Sequence, residues 1–455
     1  MSIDEVVGFA AGAVAALWLA GCGGSDGASG QDAGEFTARD GGVGEADPSA
    51  AGLFVSAEDL ARAKARAESG EEPFASGFSV LAGRADAAVE GDPDPFHMDD
   101  IGDIRFGWCG GDDPEGDETL AQATGRFEED SDRMRSLALM YALTGDSEYG
   151  DHAVRYMRAW AEDQTLVNVY DFDIDFEEGT IAGQTEGYCS DRPWNFALDA
   201  MWQTYGLINA SDAYLLLTRA DYPLSGDDDE ALSAWLREVA EAVNASFHAW
   251  TRWADAHPGS GSYERYRSDN HLSWSLAGLL AAAAALGDED LAAYVLEGAR
   301  FEDSRAGAYA NPSHVGDVID RAIEAGSDDD DAGRIYEERI EREPPIGYSL
   351  FHLWALALVA QVAEVHYAVD VWTLAGSDGA GLEDAFSRYA AFVLGERASP
   401  DPDESTPTGD AWLYELAYRR FEESRFAEAI GAADRGPFIV QSIGPVTLLL
   451  GEELP

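Results

Sequence analysis

Two segments of the chain are apolar on nearly every side when they are read as helices. Residues 272–286 and 350–363 carry few polar side chains, and a helix of this composition must be buried over most of its surface. Other segments are apolar on one face only, as where Met134, Leu137 and Tyr141 follow a spacing of i, i+3 and i+7. The sequence therefore predicts inner helices that are covered by outer, one-faced helices.

The one-faced spacing returns along the chain. It recurs in four further groups: Tyr149, Ala153, Tyr156 and Trp160; Trp194, Leu198, Met201 and Tyr205; Leu232, Trp235, Leu236, Val239 and Val243; Leu382, Ala385, Phe386, Tyr389 and Val393. After Leu382 no segment shows the period-two alternation of a β-sandwich. Inner and outer helices joined by polar loops are typical of helical hairpins curled into a ring. The predicted fold is all-α, with residues 53–455 forming one large domain.

The chain is strongly acidic. Its 455 residues include 87 acidic and 29 basic side chains, which gives a net charge of -58. Disordered acidic chains lack aromatic residues, whereas this chain has 12 Trp, 18 Tyr and 19 Phe, so the charge must coat a folded body. Because salt at 1 M shortens the Debye length to roughly 3 Å, we expect a salt-adapted, halophilic protein. No basic face is visible in the sequence, which excludes nucleic acid as a partner.

The first residues predict export. Residues 6–20 are apolar and lead into a Leu-Ala-Gly-Cys tetrapeptide that ends at Cys22 and resembles a lipobox. The run is short for a membrane-spanning helix, which needs ~20 residues. Asp4 and Glu5 stand where a signal has basic residues, and an ordinary secretory signal or a plain anchor helix remain alternatives.

We therefore expect three regions. Residues 1–22 are predicted to be a signal peptide, with lipidated Cys22 as a membrane tether, and residues 23–52 a flexible, acidic, Gly- and Ser-rich linker. The remaining domain is expected to be monomeric and extracellular, either secreted or lipid-anchored on the outer face of the cell membrane.

Cysteines and acidic loops leave two structural questions. Cys109 and Cys189 lie in Gly- and Asp-rich loops, and an exported protein allows either a disulfide or two free thiols. Four acidic residues alternate along one loop: Asp171, Asp173, Asp175 and Glu177. The glycine and terminal glutamate of an EF-hand are missing there. We predict no metal site and no cofactor.

Polar residues stand immediately before both apolar helices. The first group includes Arg265, Arg267, Asn270 and His271, and the second includes Arg342 and Tyr348: these six are the candidate site residues. Helix N-termini attract anions through their free N–H groups and the helix dipole. If the two helix ends meet in one cleft with arginines beside them, they can hold a carboxylate.

These two groups carry a family resemblance. Asn270, His271 and Trp274 resemble the Asn-Asn-His-x-x-Trp motif of alginate lyase-like polysaccharide lyases, with Asp269 in place of the first Asn. Arg342, followed by Gly-Tyr-Ser-x-Phe at 347–351, is similar to the second motif of that family. The hairpin from Arg135 to Tyr149 and the Asp370-x-Trp372 segment are also similar, so the resemblance runs from about residue 133 to 396.

The resemblance implies an incomplete (α/α) toroid as the catalytic domain and a β-elimination within a uronic-acid polymer. Asn270 and Arg342 are then expected to neutralise the sugar carboxylate, since negative charge builds there as H5 is removed. Tyr348 serves as both base and acid if the elimination is syn, with positive charge such as that of Arg342 lowering its pKa from about 10. His271 is the candidate base for an anti elimination.

The anionic polysaccharide needs further contacts, and five residues are predicted to bind it: Arg265, Arg267, Trp274, Arg105 and Trp108. The last two lie in a Gly-rich loop that suits either a sugar-contacting cover or a structural role.

Each functional interpretation has a structural alternative. Asp269 or Asn270 suits a helix N-cap, His271 and Tyr348 suit the core, and Arg342 suits an ion pair with a neighbouring glutamate. Two other functions also stay open. One is a glycoside hydrolase, which needs two carboxylates such as Glu264 or Asp269 beside the scissile bond. The other is a surface lipoprotein that binds polysaccharide without cleaving it.

Overall fold

The computed structural model describes residues 43, 46–47, 49–95, 120–163, 174–175, 180–181, 195–256, 267–304, 307–311, 313–326, 331–433 and 435–455. The predicted signal at 1–22 lies outside these residues. So do Arg105, Trp108, Arg265 and all three cysteines: Cys22, Cys109 and Cys189.

Helices dominate the described residues. In chain order they are α1 (Ala57–Ser69), α2 (Phe74–Glu90), α3 (Leu120–Thr144), α4 (Ser147–Asp163), α5 (Asn195–Arg219), α6 (Gly226–Ala256), α7 (Asn270–Leu286), α8 (Glu289–Glu297), α9 (Val315–Ala322), α10 (Tyr336–Arg339), α11 (Pro345–Tyr367), α12 (Leu382–Val393), α13 (Leu413–Phe421), α14 (Ser424–Gly431) and α15 (Val446–Leu450). Short 3₁₀ turns lie at Val371–Thr373 and Thr408–Asp410.

Strands in the described residues form three small antiparallel pairs. They are β1 (Ile174–Asp175) with β2 (Thr180–Ile181), β3 (Arg300–Asp303) with β4 (Gly307–Ala310), and β5 (Ile323–Glu324) with β6 (Arg334–Ile335). In the longest pair, Phe301 lies opposite Tyr309. These hairpins lie between helices and leave the fold all-α, as predicted.

The helices form an incomplete ring of hairpins. α3, α5, α7 and α11 pack side by side in that order and make the inner wall. Each is followed by a helix that packs against it from outside: α4, α6, α8 and α12 respectively. α1, α2 and α15 pack on one another beside α3. This is an α/α toroid.

The two apolar segments are inner helices, as predicted. α7 is buried from Asn270 to Ala284 without a break, and α11 is buried along most of its length. α11 is long and apolar enough to cross a membrane by composition alone, but its place inside the toroid accounts for that composition. α7 ends at Gly287, whose φ of 63° is the left-handed conformation that glycine adopts without strain.

Small side chains let the inner helices approach closely. A Cβ added at Gly278 of α7 would lie 2.0 Å from Thr204 Cγ2 of α5, and one at Gly206 of α5 would lie 2.2 Å from the Phe127 ring of α3. No side chain fits at those distances. Both glycines are therefore required by the packing of the ring.

Residues at the end of the predicted linker, 23–52, pack against the folded domain. The Asp47 N–H donates to the carbonyl of His366 at 2.7 Å, and the Leu53 N–H donates to Asp212 Oδ1 at 2.7 Å. Ala46 and Ala50 are buried. Ala46, Asp47 and Ala50 therefore belong to the packed body.

Candidate active site

Asn270 and His271 open α7. Asp269 is the N-cap of this helix, and its Oδ1 accepts the His271 N–H at 3.1 Å. Its Oδ2 lies 3.0 Å from His271 Nδ1. Since an ionised carboxylate can only accept, Nδ1 donates to Asp269, which directs any acid or base chemistry of the ring to Nε2. Asp269 is thus both the predicted cap and the group that orients the imidazole.

The side chain of Asn270 is buried at the start of α7. It is 0% exposed, and within the described part of the chain neither its Oδ1 nor its Nδ2 has a hydrogen-bond partner. Leaving a buried polar group unpaired costs roughly 1–3 kcal/mol. A ligand that supplies both a donor and an acceptor would recover this energy. Because the amide is closed to solvent, neighbouring side chains must move before such a ligand can reach it.

Arg342 and Tyr348 form the second half of the site. The guanidinium carbon of Arg342 lies 3.9 Å from the centroid of the Tyr348 ring, which is a close cation–π contact. Tyr348 lies in the first turn of α11 and is half-buried. The structure therefore places a fixed positive charge against the face of the phenol.

Aromatic packing joins the two halves. Trp274, one turn beyond Asn270, and Phe351, one turn beyond Tyr348, have ring centroids 4.9 Å apart. Tyr205 of α5 packs edge-on against Trp274 at 4.7 Å. Burial raises the pKa of Tyr205 well above its usual value, and the nearby Glu128 and Tyr348 add to this effect. The first turns of α7 and α11 therefore lie side by side, on the same rim of the ring.

Trp274 itself is 0% exposed. Its indole also packs against Trp354, with ring centroids 5.0 Å apart. The predicted contact between Trp274 and a sugar stays a prediction, and this buried position favours a supporting role beneath the site. Arg267 lies just before α7 and is partly buried; Arg265, Arg105 and Trp108 are outside the described residues.

A buried glutamate also links the two halves. Glu337 Oε1 accepts the Asn270 N–H at 2.7 Å, and Glu337 Oε2 lies 2.9 Å from His352 Nδ1. His352 follows Tyr348 by four residues, so it occupies the same face of α11. Neither residue was predicted from the sequence. The spacing from Tyr348 to His352 was the available signal, whereas nothing local pointed to Glu337.

The N-termini of α7 and α11 do not bind an anion in the way that was predicted. We expected the N–H groups at the two N-termini to attract the carboxylate of a ligand. In the structure, Glu337 and Asp269 accept from the first N–H groups of α7. Glu404 accepts from Gly347 at 2.6 Å and from Ile346 at 3.2 Å in α11. The protein's own carboxylates fill these positions, so an anionic ligand would have to be held by side chains.

Glu128 of α3 is a further ionisable group near this rim. Burial raises its pKa to about 7, the negative charge of Asp132 adds to the rise, and a hydrogen bond from Gln441 opposes it. Because Glu128 also acts on the pKa of Tyr205, it belongs to the surroundings of the site. Nothing in the sequence distinguished Glu128 from the rest of the 87 acidic residues.

The ring of helical hairpins brings an Asn–His pair and an Arg–Tyr pair to one rim, which fits the class of polysaccharide lyases. The sequence model of the alginate lyase family matches residues 105–399, which is more than half of the 455 residues. The chain therefore belongs to the alginate lyase family.

Solved structures agree on the fold. An alginate lyase from Bacteroides ovatus is 18% identical with a TM-score of 0.58, covering 89% of this chain and 100% of that one. Alginate lyase A1-III from Sphingomonas species A1 is 18% identical with a TM-score of 0.56, covering 90% of this chain and 97% of that one. At such identities the likeness establishes the α/α toroid and no more. No curated protein sequence matches the chain.

Proposed function

We propose that this lyase cleaves a uronic-acid polymer of the alginate, mannuronan or glucuronan type by β-elimination, with Tyr348 as acid and base. The observation that carries the proposal is the stack of Arg342 on Tyr348, at 3.9 Å, beside a helix that begins with Asn270 and His271. This arrangement brings a cation, a phenol, an amide and an imidazole to one rim.

Charge neutralisation is the first requirement of the reaction. Removing H5 pushes electron density onto the adjacent carboxylate, so preorganised donors lower the barrier most if they face that group. The unpartnered amide of Asn270 and the guanidinium of Arg342 are the donors we assign to it. The helix N-termini are excluded from this role because their first N–H groups are already capped.

Proton transfer is the second requirement. In a syn elimination H5 and O4 lie on the same face of the ring, and Tyr348 takes the proton from C5 and returns one to O4. Mannuronate and glucuronate in β-D linkage have this geometry. In an anti elimination the base lies on the other face, and His271, with its Nδ1 held by Asp269 at 3.0 Å, takes that role.

One related enzyme supports an oligosaccharide as ligand. Alginate lyase A1-III has been crystallised with a tetrasaccharide in a histidine-to-alanine variant and in a tyrosine-to-phenylalanine variant. A histidine and a tyrosine also stand at the rim described here. We propose that the same class of ligand binds this rim.

The decisive experiment is a panel of polymannuronate, polyguluronate, mixed alginate and glucuronan in high salt. A lyase produces an unsaturated uronide that absorbs ultraviolet light. Tyr348→Phe is expected to lower kcat by roughly a thousandfold while polymer binding persists. Tyr149→Phe, which changes a tyrosine bonded to the distant Asp86, should retain activity.

Other outcomes would replace the proposal. New reducing ends without ultraviolet absorbance indicate a hydrolase. Binding by folded protein, without either signal and unchanged by Tyr348→Phe, indicates a polysaccharide-binding protein. Export, a lipid anchor at Cys22, a monomeric state and salt adaptation remain proposals from the sequence.

A further inference from the structure

Glu337 lies at a junction of three helices. It belongs to α10, a single turn, yet both oxygens of its carboxylate reach other helices. Oε1 accepts the Asn270 N–H of α7 at 2.7 Å, and Oε2 lies 2.9 Å from His352 Nδ1 of α11. The side chains of Glu337 and His352 are both 0% exposed.

From this geometry we propose that Glu337 is a positioning residue that sets the spacing between Asn270 and Tyr348. The inference rests on the proposed β-elimination, in which these two residues act on one sugar ring. A carboxylate is rigid, so two donors held on its two oxygens are fixed relative to each other. One donor is the backbone of Asn270, and the other is the side chain one turn beyond Tyr348.

Because Glu337 is buried, its carboxylate needs both of these hydrogen bonds. A carboxylate out of contact with water is tolerated only when donors pair with it, and the two donors here come from the two helices that carry the site. Movement of either helix would leave the carboxylate partly unpaired. Glu337 therefore resists any change in the distance between α7 and α11.

The groups around Glu337 show that the cluster is not arranged for stability alone. His352 Nε2 is buried and has no hydrogen-bond partner in the described residues, and the same holds for both side-chain polar atoms of Asn270. Unpaired buried polar atoms are unfavourable. An apolar contact between the helices would avoid that cost but would not fix the orientation of Asn270.

The adjacent Glu338 offers a matched control. It sits on the same turn and is 8% exposed, but its carboxylate points to α12. There it pairs with Arg388 at 2.5 Å and accepts from the Tyr389 hydroxyl at 2.8 Å. Among the described residues, the Glu338 carboxylate contacts α12 and neither half of the site.

The test compares Glu337→Gln with Glu338→Gln on the best uronan of the panel. Glutamine has one oxygen, so it cannot accept from both donors. We expect Glu337→Gln to lower kcat roughly tenfold to a hundredfold, with KM changed less than threefold. Glu338→Gln should lose a similar amount of thermal stability and keep kcat within twofold. Wild-type kcat in Glu337→Gln, or an equal loss in Glu338→Gln, would overturn the proposal.

Two additions keep the test decisive. If Glu337→Gln does not fold, Glu337→Asp keeps the charge but is too short to reach both donors, and the same loss of kcat is expected.

Crystal structures of the variants give a readout that needs no activity. The first turn of α7 should shift relative to α11 in the Glu337 variant and stay in place in Glu338→Gln. An unshifted first turn would refute the positioning role. Inactivity of the wild type on every uronan would refute the proposed function instead.

Discussion

At the scale of single residues, the contact between Arg342 and Tyr348 has the most direct chemical consequence. A guanidinium 3.9 Å from the ring centroid is placed to stabilise negative charge that develops on the phenol during proton transfer. The same cation can face the sugar carboxylate. Arg342 therefore supports the proposed reaction in two ways, and both depend on its charge.

Arg342→Gln removes that charge, and we expect kcat to fall roughly 100- to 1000-fold. Arg342→Lys keeps the charge but loses the planar stack, so a fall of roughly tenfold is expected. Arg339→Gln is the control, because Arg339 lies three residues earlier and pairs with Glu324 at 3.6 Å instead. The measurement is initial rate by ultraviolet absorbance. Equal losses in the Gln variants at 339 and 342 would contradict the assignment.

Some residues of the site could be predicted from the sequence, and others could not. Asn270, His271 and Tyr348 lie in the first turn of an apolar helix and Arg342 lies shortly before one, so all four could be selected by a local signal. Glu337 could not be, since its partner Asn270 is 67 residues away and only the ring brings them together. Glu404 was missed for the same reason: it caps α11 from 57 residues further along the chain.

At the scale of elements, Asp212 joins the N-terminal segment to the inner wall. Its Oδ1 accepts the Leu53 N–H at 2.7 Å, and only 5% of the residue is exposed. Burial raises its pKa to about 6, against the opposing effects of that hydrogen bond and of Arg135. The folded protein therefore holds this proton more tightly than the unfolded chain, where the pKa is near 3.8.

The sign of the pH effect follows from that difference. The stabilising contribution is complete below pH 4 and is lost as the pH rises from about 4 to about 6. A difference of about two pH units corresponds to roughly 3 kcal/mol. Asp212→Asn keeps an oxygen for Leu53 and does not titrate, so we expect its stability relative to wild type to rise by about that amount between pH 4 and pH 7.

Urea unfolding at fixed salt and several pH values measures this effect. Asp221→Asn, at an exposed aspartate just after α5, should follow the wild-type curve. If the curves of wild type and Asp212→Asn run parallel from pH 4 to pH 7, the buried carboxyl does not titrate as inferred.

The helices themselves were predictable because burial leaves a period of 3.6 in the sequence. The fully apolar stretch that begins at Leu272 identified an inner helix, and α7 begins two residues earlier, at Asn270. The short strand pairs were not predicted. β5 and β6 have two residues each, which is too short for any alternation to show.

At the scale of the whole molecule, charge is the dominant feature. The net charge of -58 makes the surface repel itself, and it also repels the polyanion that we propose as substrate. Many of the basic residues are already paired, as Arg158 is with Asp228 and Arg425 with Glu396. Such exposed pairs contribute little, so they do not offset the excess of acidic groups.

Salt should therefore stabilise the fold. Raising sodium chloride from 0.1 M to 1 M shortens the Debye length from about 10 Å to about 3 Å, which screens most of the repulsion between surface carboxylates. We expect the Tm to rise by about 4 °C, which for a chain of this size corresponds to roughly 4 kcal/mol. KM for the polymer should fall over the same range, since screening also removes the barrier to its approach.

Screening depends on ionic strength, whereas exclusion of a salt from the protein surface depends on the anion. At concentrations up to 0.3 M, sodium thiocyanate should thus raise the Tm nearly as much as the same concentration of sodium chloride does. At pH 4 the carboxylates begin to take up protons, and the salt effect should shrink in both. A Tm that is constant or falls with added chloride at pH 7 would show that self-repulsion does not limit the stability of this ring.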